Sequence, residues 1–238
     1  MTVTTRYERI TAHDGGTFDA YCAIPEAGRG AGMILFQEIF GINDNMRGLA
    51  ERLAGEGYVV LVPDMFWRIE PRFERKDEAG MADAFAIVQK YDRIAGASDI
   101  NAVHAHLLAM AECTGKVGAS GFCLGGALTF AAAATSRVNG KGIDAAVPYY
   151  GSAINDMLDL AASITCPIMF HYGANDPYIP TEKIDEVERA MVGHPTMEFH
   201  RYAAGHGFSN WDAPSMYEKD AAALAWSRTL GFLATHLA

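Results

Sequence analysis

"GASGFCLGG", residues 118–126, sets Cys123 among glycines where one apolar run gives way to another. An enzyme that attacks a carbonyl needs its nucleophile exposed, rigid and close to backbone N–H groups that can stabilise an oxyanion. A sharp strand–turn–helix meets all three needs, provided small residues stand two before and two after the nucleophile. Gly121-Phe122-Cys123-Leu124-Gly125 has that pattern, with the strand-like "KVGAS" (116–120) before it and the small, apolar, helix-like Leu124–Ser136 after it. Ser120 does not fit the same frame, because Phe122 stands where the second glycine should be. A cysteine at a helix start also feels the positive end of the helix dipole, which favours thiolate. The competing reading is a packed cysteine in a glycine-rich turn; the setting between strand and helix favours the nucleophile.

Such a nucleophile needs a base and a group that orients the base. In this architecture the chain order is nucleophile, acid, histidine, with the last two on loops after later strands. "CPIMFHYGANDPYIP" puts Asp176 three residues past Gly173, and "HRYAAGHGFSNW" puts His206 between Gly205 and Gly207 after the next strand. The order 123, 176, 206 is the one required. His171 reads as strand-embedded, His104 and His106 as helical on different faces, and His13, His194, His200 and His236 as turn, strand or helix-end residues. None has metal-ligand spacing with a cysteine or carboxylate, so no metal is expected.

Outward from the elbow, short apolar runs recur at 32–37, 58–64, 143–151, 166–173 and 197–202, each bounded by Gly, Pro or Asp. They read as buried strands. Helical periodicity spans Asp44–Glu56, Ser98–Glu112 (with Ser98 as N-cap) and Met216–Leu237. Strands alternating with helices predict a mostly parallel sheet covered on both faces. Residues 7–28 differ: two runs meet at His13-Asp14-Gly15-Gly16, predicting an N-terminal antiparallel hairpin. The mixed, aromatic-rich stretch 65–96 is too short for a domain and reads as a loop and helix over a site. With no linker or repeat, 1–238 reads as one α/β domain without a large cap.

Half of the 238 residues are hydrophobic and a fifth charged, as in an ordinary globular protein. The net charge of −10 argues against nucleic acid and anionic membrane surfaces as partners. No apolar run reaches the ~18–20 residues that cross a bilayer, and the N-terminus lacks a signal-peptide pattern, so a cytoplasmic location is expected. Cys22, Cys113 and Cys166 then read as reduced, small buried hydrophobes.

"QEIFGIN" (37–43), "GFCLGG" (121–126), "YYG" (149–151) and "AGHGF" (204–208) resemble the dienelactone hydrolases, cysteine-based members of the α/β-hydrolase fold. The likeness runs from the first hairpin to the last helix. It implies a Cys123–His206–Asp176 triad, oxyanion donors at the backbone N–H of Leu124 and Ile39, and a Glu38 that sits beside the nucleophile and helps control its protonation. Read alone, Glu38 is equally a solvated turn residue. Family members that cleave dienelactone grip its carboxylate with two arginines; Met81 and Asn210 stand at those positions here. Arg68, Arg72 and Arg75 are possible replacements that the sequence does not place. Resemblance or position also implies Phe40, Trp67, Phe85, Val88, Tyr150, Phe208 and Trp211 as pocket walls, each equally readable as core packing. The expected activity is hydrolysis of a small lactone or ester through a thioester, with no cofactor and with substrate preference altered. A general carboxylesterase or thioesterase, or a thiol sensor or binding protein on the same fold, is the alternative. Oligomeric state is not legible.

Overall fold

Burial alternates along the central strands. Met33 and Leu35 face one side of the sheet and Ile34 and Phe36 the other, all four fully buried. Val60 and Val62 divide from Val59 and Leu61 in the same way. A strand that is apolar on both faces must be covered on both faces. The computed structural model, which describes residues 2–76 and 78–238, shows how that is done.

Eight strands are β1 (Thr4–Thr11), β2 (Thr17–Ile24), β3 (Gly30–Phe36), β4 (Val59–Pro63), β5 (Cys113–Phe122), β6 (Ala145–Tyr149), β7 (Ile168–Gly173) and β8 (Met197–Tyr202). They form one sheet in the order β1-β2-β4-β3-β5-β6-β7-β8. β1 and β2 pair antiparallel around the expected turn, and β2 pairs antiparallel with β4. All the other pairings are parallel. The helices are α1 (Asp44–Gly55), α2 (Met81–Val88), α3 (Arg93–Ala109), α4 (Leu124–Thr135), α5 (Thr181–Ala190) and α6 (Lys219–Leu237). Ile100, Val103 and Leu107 of α3 pack on one sheet face; Met46, Leu49 and Leu53 of α1 and Phe232 and Leu233 of α6 pack on the other.

Several boundaries differ from the sequence reading. α3 begins five residues earlier than expected, because the Asp92 side chain accepts from the N–H groups of Ile94 (2.8 Å) and Ala95 (3.1 Å) and caps the helix there. Ser98 lies inside it. Cys113 opens β5 and is half-buried rather than buried, and α6 starts at Lys219 rather than Met216. α5, amphipathic through buried Ile184 and Val187, had no counterpart in the sequence reading. The stretch 65–96 supplies α2 and part of a small cluster of Ile39, Phe40, Phe66, Phe73, Ala84 and Ile87, against which Cys123 and Leu124 pack. Among the described residues no helix is long and apolar enough to cross a membrane.

Candidate active site

Cys123 ends β5 and opens α4 with φ 55° and ψ −115°. That left-handed φ is unfavourable for a residue with a Cβ, and such strain concentrates at functional sites. The flanking glycines hold the turn closed. A Cβ on Gly121 would lie 2.3 Å from the Gly125 carbonyl oxygen, and one on Gly125 would lie 2.3 Å from that of Phe36. The Cys123 N–H donates to the Tyr149 carbonyl at 3.1 Å. By contrast, the N–H groups of Leu124 and Ile39 have no hydrogen-bond partner among the described residues. Both residues line the pocket that Cys123 faces.

Asp176 and His206 come from the loops after β7 and β8, and those loops meet because Gly173 lets them. A Cβ there would lie 2.4 Å from the Ala204 carbonyl oxygen. Asp176 Oδ1 accepts from the N–H groups of Tyr178 (2.8 Å) and Ile179 (3.0 Å), which leaves Oδ2 to meet His206 Nδ1 at 2.7 Å. Both residues are buried. Burial alone would push the imidazole towards the neutral form. The negative charge of Cys123 and the Asp176 carboxylate together outweigh burial and carry His206 from 6.5 up to about 10.

Glu38 is buried, not solvated, and lines the same pocket as Cys123. Its Oε2 accepts from Asn210 Nδ2 at 2.7 Å and its Oε1 from the Tyr150 hydroxyl at 3.3 Å. Burial raises its pKa; the nearby His206 charge and these two donors act against that. Asn210 therefore has its amide committed, since its Oδ1 also accepts from the Asp212 N–H at 3.0 Å. His171, the other candidate base, is fully buried, with Nδ1 on the Tyr202 hydroxyl (2.7 Å) and Nε2 on Thr229 (3.0 Å). Burial first, then the charges of His200 and Arg228, hold it neutral.

A pocket of about 220 Å³ opens over Cys123 and His206. Of the predicted wall residues, Phe40, Met81, Phe85, Val88 and Asn210 line it. Four others do not. Trp67 stacks on Phe18 at 5.3 Å and donates to Asp99 at 2.9 Å, covering the hairpin instead. Tyr150 and Phe208 are fully buried behind Glu38 and His206, where they pack against each other. Trp211 faces α1, with the Arg52 guanidinium 5.6 Å from its ring. The candidate arginines are also occupied: Arg68 pairs with Asp99 and Asp14, Arg72 with Asp19, and Arg75 with Asp83.

Sequence reasoning missed Ser152, whose Oγ lies 3.6 Å from Cys123 Sγ, and Arg93, the one arginine lining the pocket among the described residues. Its side chain is mostly exposed and 3.4 Å from Asp156. Ser152 directly follows "YYG" at the end of β6, the one hint in the sequence that it would face the elbow.

The mostly parallel sheet, with its strained Cys123 turn after β5 and with Asp176 and His206 on the loops after β7 and β8, has the α/β-hydrolase fold. The chain matches the dienelactone hydrolase family over residues 18–237 and belongs to it. It is 35% identical to a carboxymethylenebutenolidase from Pseudomonas sp., covering 94% of this chain and 92% of that one. It is 34% identical to that of Pseudomonas putida, with 94% of both chains covered. Among solved structures, a putative dienelactone hydrolase from Klebsiella pneumoniae superposes with a TM-score of 0.84 at 27% identity, covering 98% and 99%. The protein is a hydrolase of ester or lactone bonds, of a family that acts on small substrates.

Proposed function

We propose that this hydrolase works through a Cys123–His206–Asp176 triad and a thioester, and that it prefers neutral lactones or small esters to anionic ones. The observation that carries the reading is the 2.7 Å Asp176–His206 contact beside a strained Cys123. The Cys123 sulfur, as thiolate, attacks the carbonyl carbon, and the carbonyl oxygen takes the negative charge while accepting from the free N–H groups of Leu124 and Ile39. The C–O bond breaks as His206 gives its proton to the leaving alkoxide, leaving a thioester on Cys123. His206, now neutral, takes a proton from water; the hydroxide adds to the thioester, and the carbon–sulfur bond breaks to return thiolate and free acid. Asp176 holds the imidazole with its Nε2 towards the chemistry and stabilises its charge.

Substrate preference follows from the walls. Ile39, Phe40, Met81, Phe85 and Val88 are apolar, Asn210 is committed to Glu38, and Arg68, Arg72 and Arg75 face elsewhere. Arg93 stands at the exposed mouth, where a charge pair is worth little. A carboxylate drawn deep into this pocket would lose hydration without a partner. The test is a kcat/KM panel of dienelactone, neutral lactones and p-nitrophenyl esters on pure protein. Neutral esters should lead; a strong preference for dienelactone would overturn the substrate claim. A thiol sensor on the same fold would turn over none of them.

A further inference from the structure

A second hollow of about 140 Å³, sharing no lining residue with the reactive pocket, lies between α1 and the start of α6 and is bordered by Ser209 and Trp211 of the segment that follows His206. Its deep wall is apolar, made by Leu49, Phe122 and Tyr149, all buried. Its rim carries two cations, Arg52 and Lys219. Among the described residues neither is in an ion pair or hydrogen bond, although carboxylates outnumber cations in the chain and most of its other arginines are paired. The Arg52 guanidinium is held instead by two indoles, 4.3 Å from the Trp226 ring and 5.6 Å from that of Trp211. Stacking fixes the plane of a guanidinium and leaves its N–H edge free to donate. Lys219 is the first residue of α6, the helix end at which a cation is disfavoured and an anion is welcome. The Ser209 hydroxyl also lines this hollow; it is buried and has no hydrogen-bond partner among the described residues. Buried polar groups left unpaired are uncommon and call for a partner.

We propose that this hollow is a second ligand site that takes a small carboxylate with a short apolar body. The carboxylate would accept from the Arg52 edge and the Ser209 hydroxyl under the positive charge of Lys219, and its hydrocarbon would lie on Leu49, Phe122 and Tyr149. Carboxylates are also what ester and lactone hydrolysis releases, so the class includes the products of this family's reaction. Ser209 sits between Phe208 and Asn210, and Asn210 donates to Glu38, so an occupant touches the loop that carries the reactive histidine.

Two of the three tryptophans line the hollow and neither lines the reactive pocket, so intrinsic fluorescence reads it locally. The full-length protein is titrated at constant ionic strength with hexanoate, hexanamide and inorganic phosphate. Hexanoate should give a saturable change that hexanamide does not, and should bind more tightly than phosphate, which has no apolar body. Arg52→Met keeps an unbranched stem between the indoles, and Arg52 is exposed, so the variant should fold. It should weaken hexanoate about tenfold or more, as expected for a lost charged hydrogen bond, and Lys219→Gln should weaken it less. Equal responses to hexanoate and hexanamide, tighter binding of phosphate, or unchanged affinity in Arg52→Met would each overturn the assignment.

Discussion

Asp176→Asn separates the orienting role of the carboxylate from its role in the fold. In the native loop Oδ1 accepts from two backbone N–H groups and Oδ2 from His206 Nδ1. Asparagine keeps only one acceptor oxygen. If that oxygen stays on the N–H groups of Tyr178 and Ile179, the new NH₂ faces Nδ1, and the imidazole must turn its proton to Nε2. The ring can then no longer take a proton at Nε2, and its charge partner is gone as well. If the amide instead flips to serve His206, two backbone hydrogen bonds are lost, costing about 2 kcal/mol of stability at roughly 1 kcal/mol each. The first arrangement keeps two bonds against one, so it should win. Turnover should then fall by about 10³-fold, or about 4 kcal/mol of transition-state stabilisation, while stability changes little. The assay is kcat on p-nitrophenyl acetate beside urea unfolding of both proteins. A variant with kcat within twofold of wild type would refute the assignment of Asp176. Large destabilisation with modest loss of rate would show that the flipped arrangement won.

Cys123→Ala should abolish ester hydrolysis and remain folded, whereas Cys22→Ala and Cys166→Ala should stay active; burial pushes those two thiols up to about 12 and about 11, so they stay protonated at neutral pH. Any residual turnover in Cys123→Ala matching wild type would end the triad reading. In the same variant the His206 midpoint, followed by NMR, should fall well below about 10, because the largest contribution raising it is removed. In the wild type this raised histidine contributes stability that is fully present below pH 6.5 and is lost as pH rises through about 10; denaturant midpoints across that range should decline. Gly125→Ala should destabilise by about 2 kcal/mol or more, since its Cβ would lie 2.3 Å from a backbone oxygen that cannot swing aside; unchanged thermal stability would contradict the close approach.

Local chemistry makes much of this protein legible in its sequence. Glycines spaced around Cys123, apolar runs bounded by Gly and Asp, and a hairpin signal at residues 13–16 are short-range patterns, and each acts within a few residues of itself. Chain order also anticipated that Asp176 and His206 lie on loops after two successive strands, which meet because in a parallel sheet the C-terminal ends of the strands open on the same edge. Cap positions were less legible: Asp92 and Ser98 are both competent N-caps by residue type, and the structure shows Asp92 accepting from the N–H groups of Ile94 and Ala95 with Ser98 inside the helix.

Sequence by itself determined the tight strand–turn–helix at Cys123 and the alternation of strand and helix, since backbone sterics and hydrophobic period fix these locally. Tertiary structure alone decided what each side chain faces. Trp67, Tyr150, Phe208 and Trp211 are apolar enough for a pocket wall, but each found a fuller contact elsewhere: on the hairpin, behind Glu38 or against α1. Asn210 lines the pocket as expected, but only the fold brings its amide onto Glu38, 172 residues away in sequence. Arg93 and Ser152 reach the pocket because α3 and the turn after β6 converge there, although they lie 59 positions apart in the chain (152 − 93). Packing joins residues through space, and no pattern confined to one stretch of chain records which partner will be nearest.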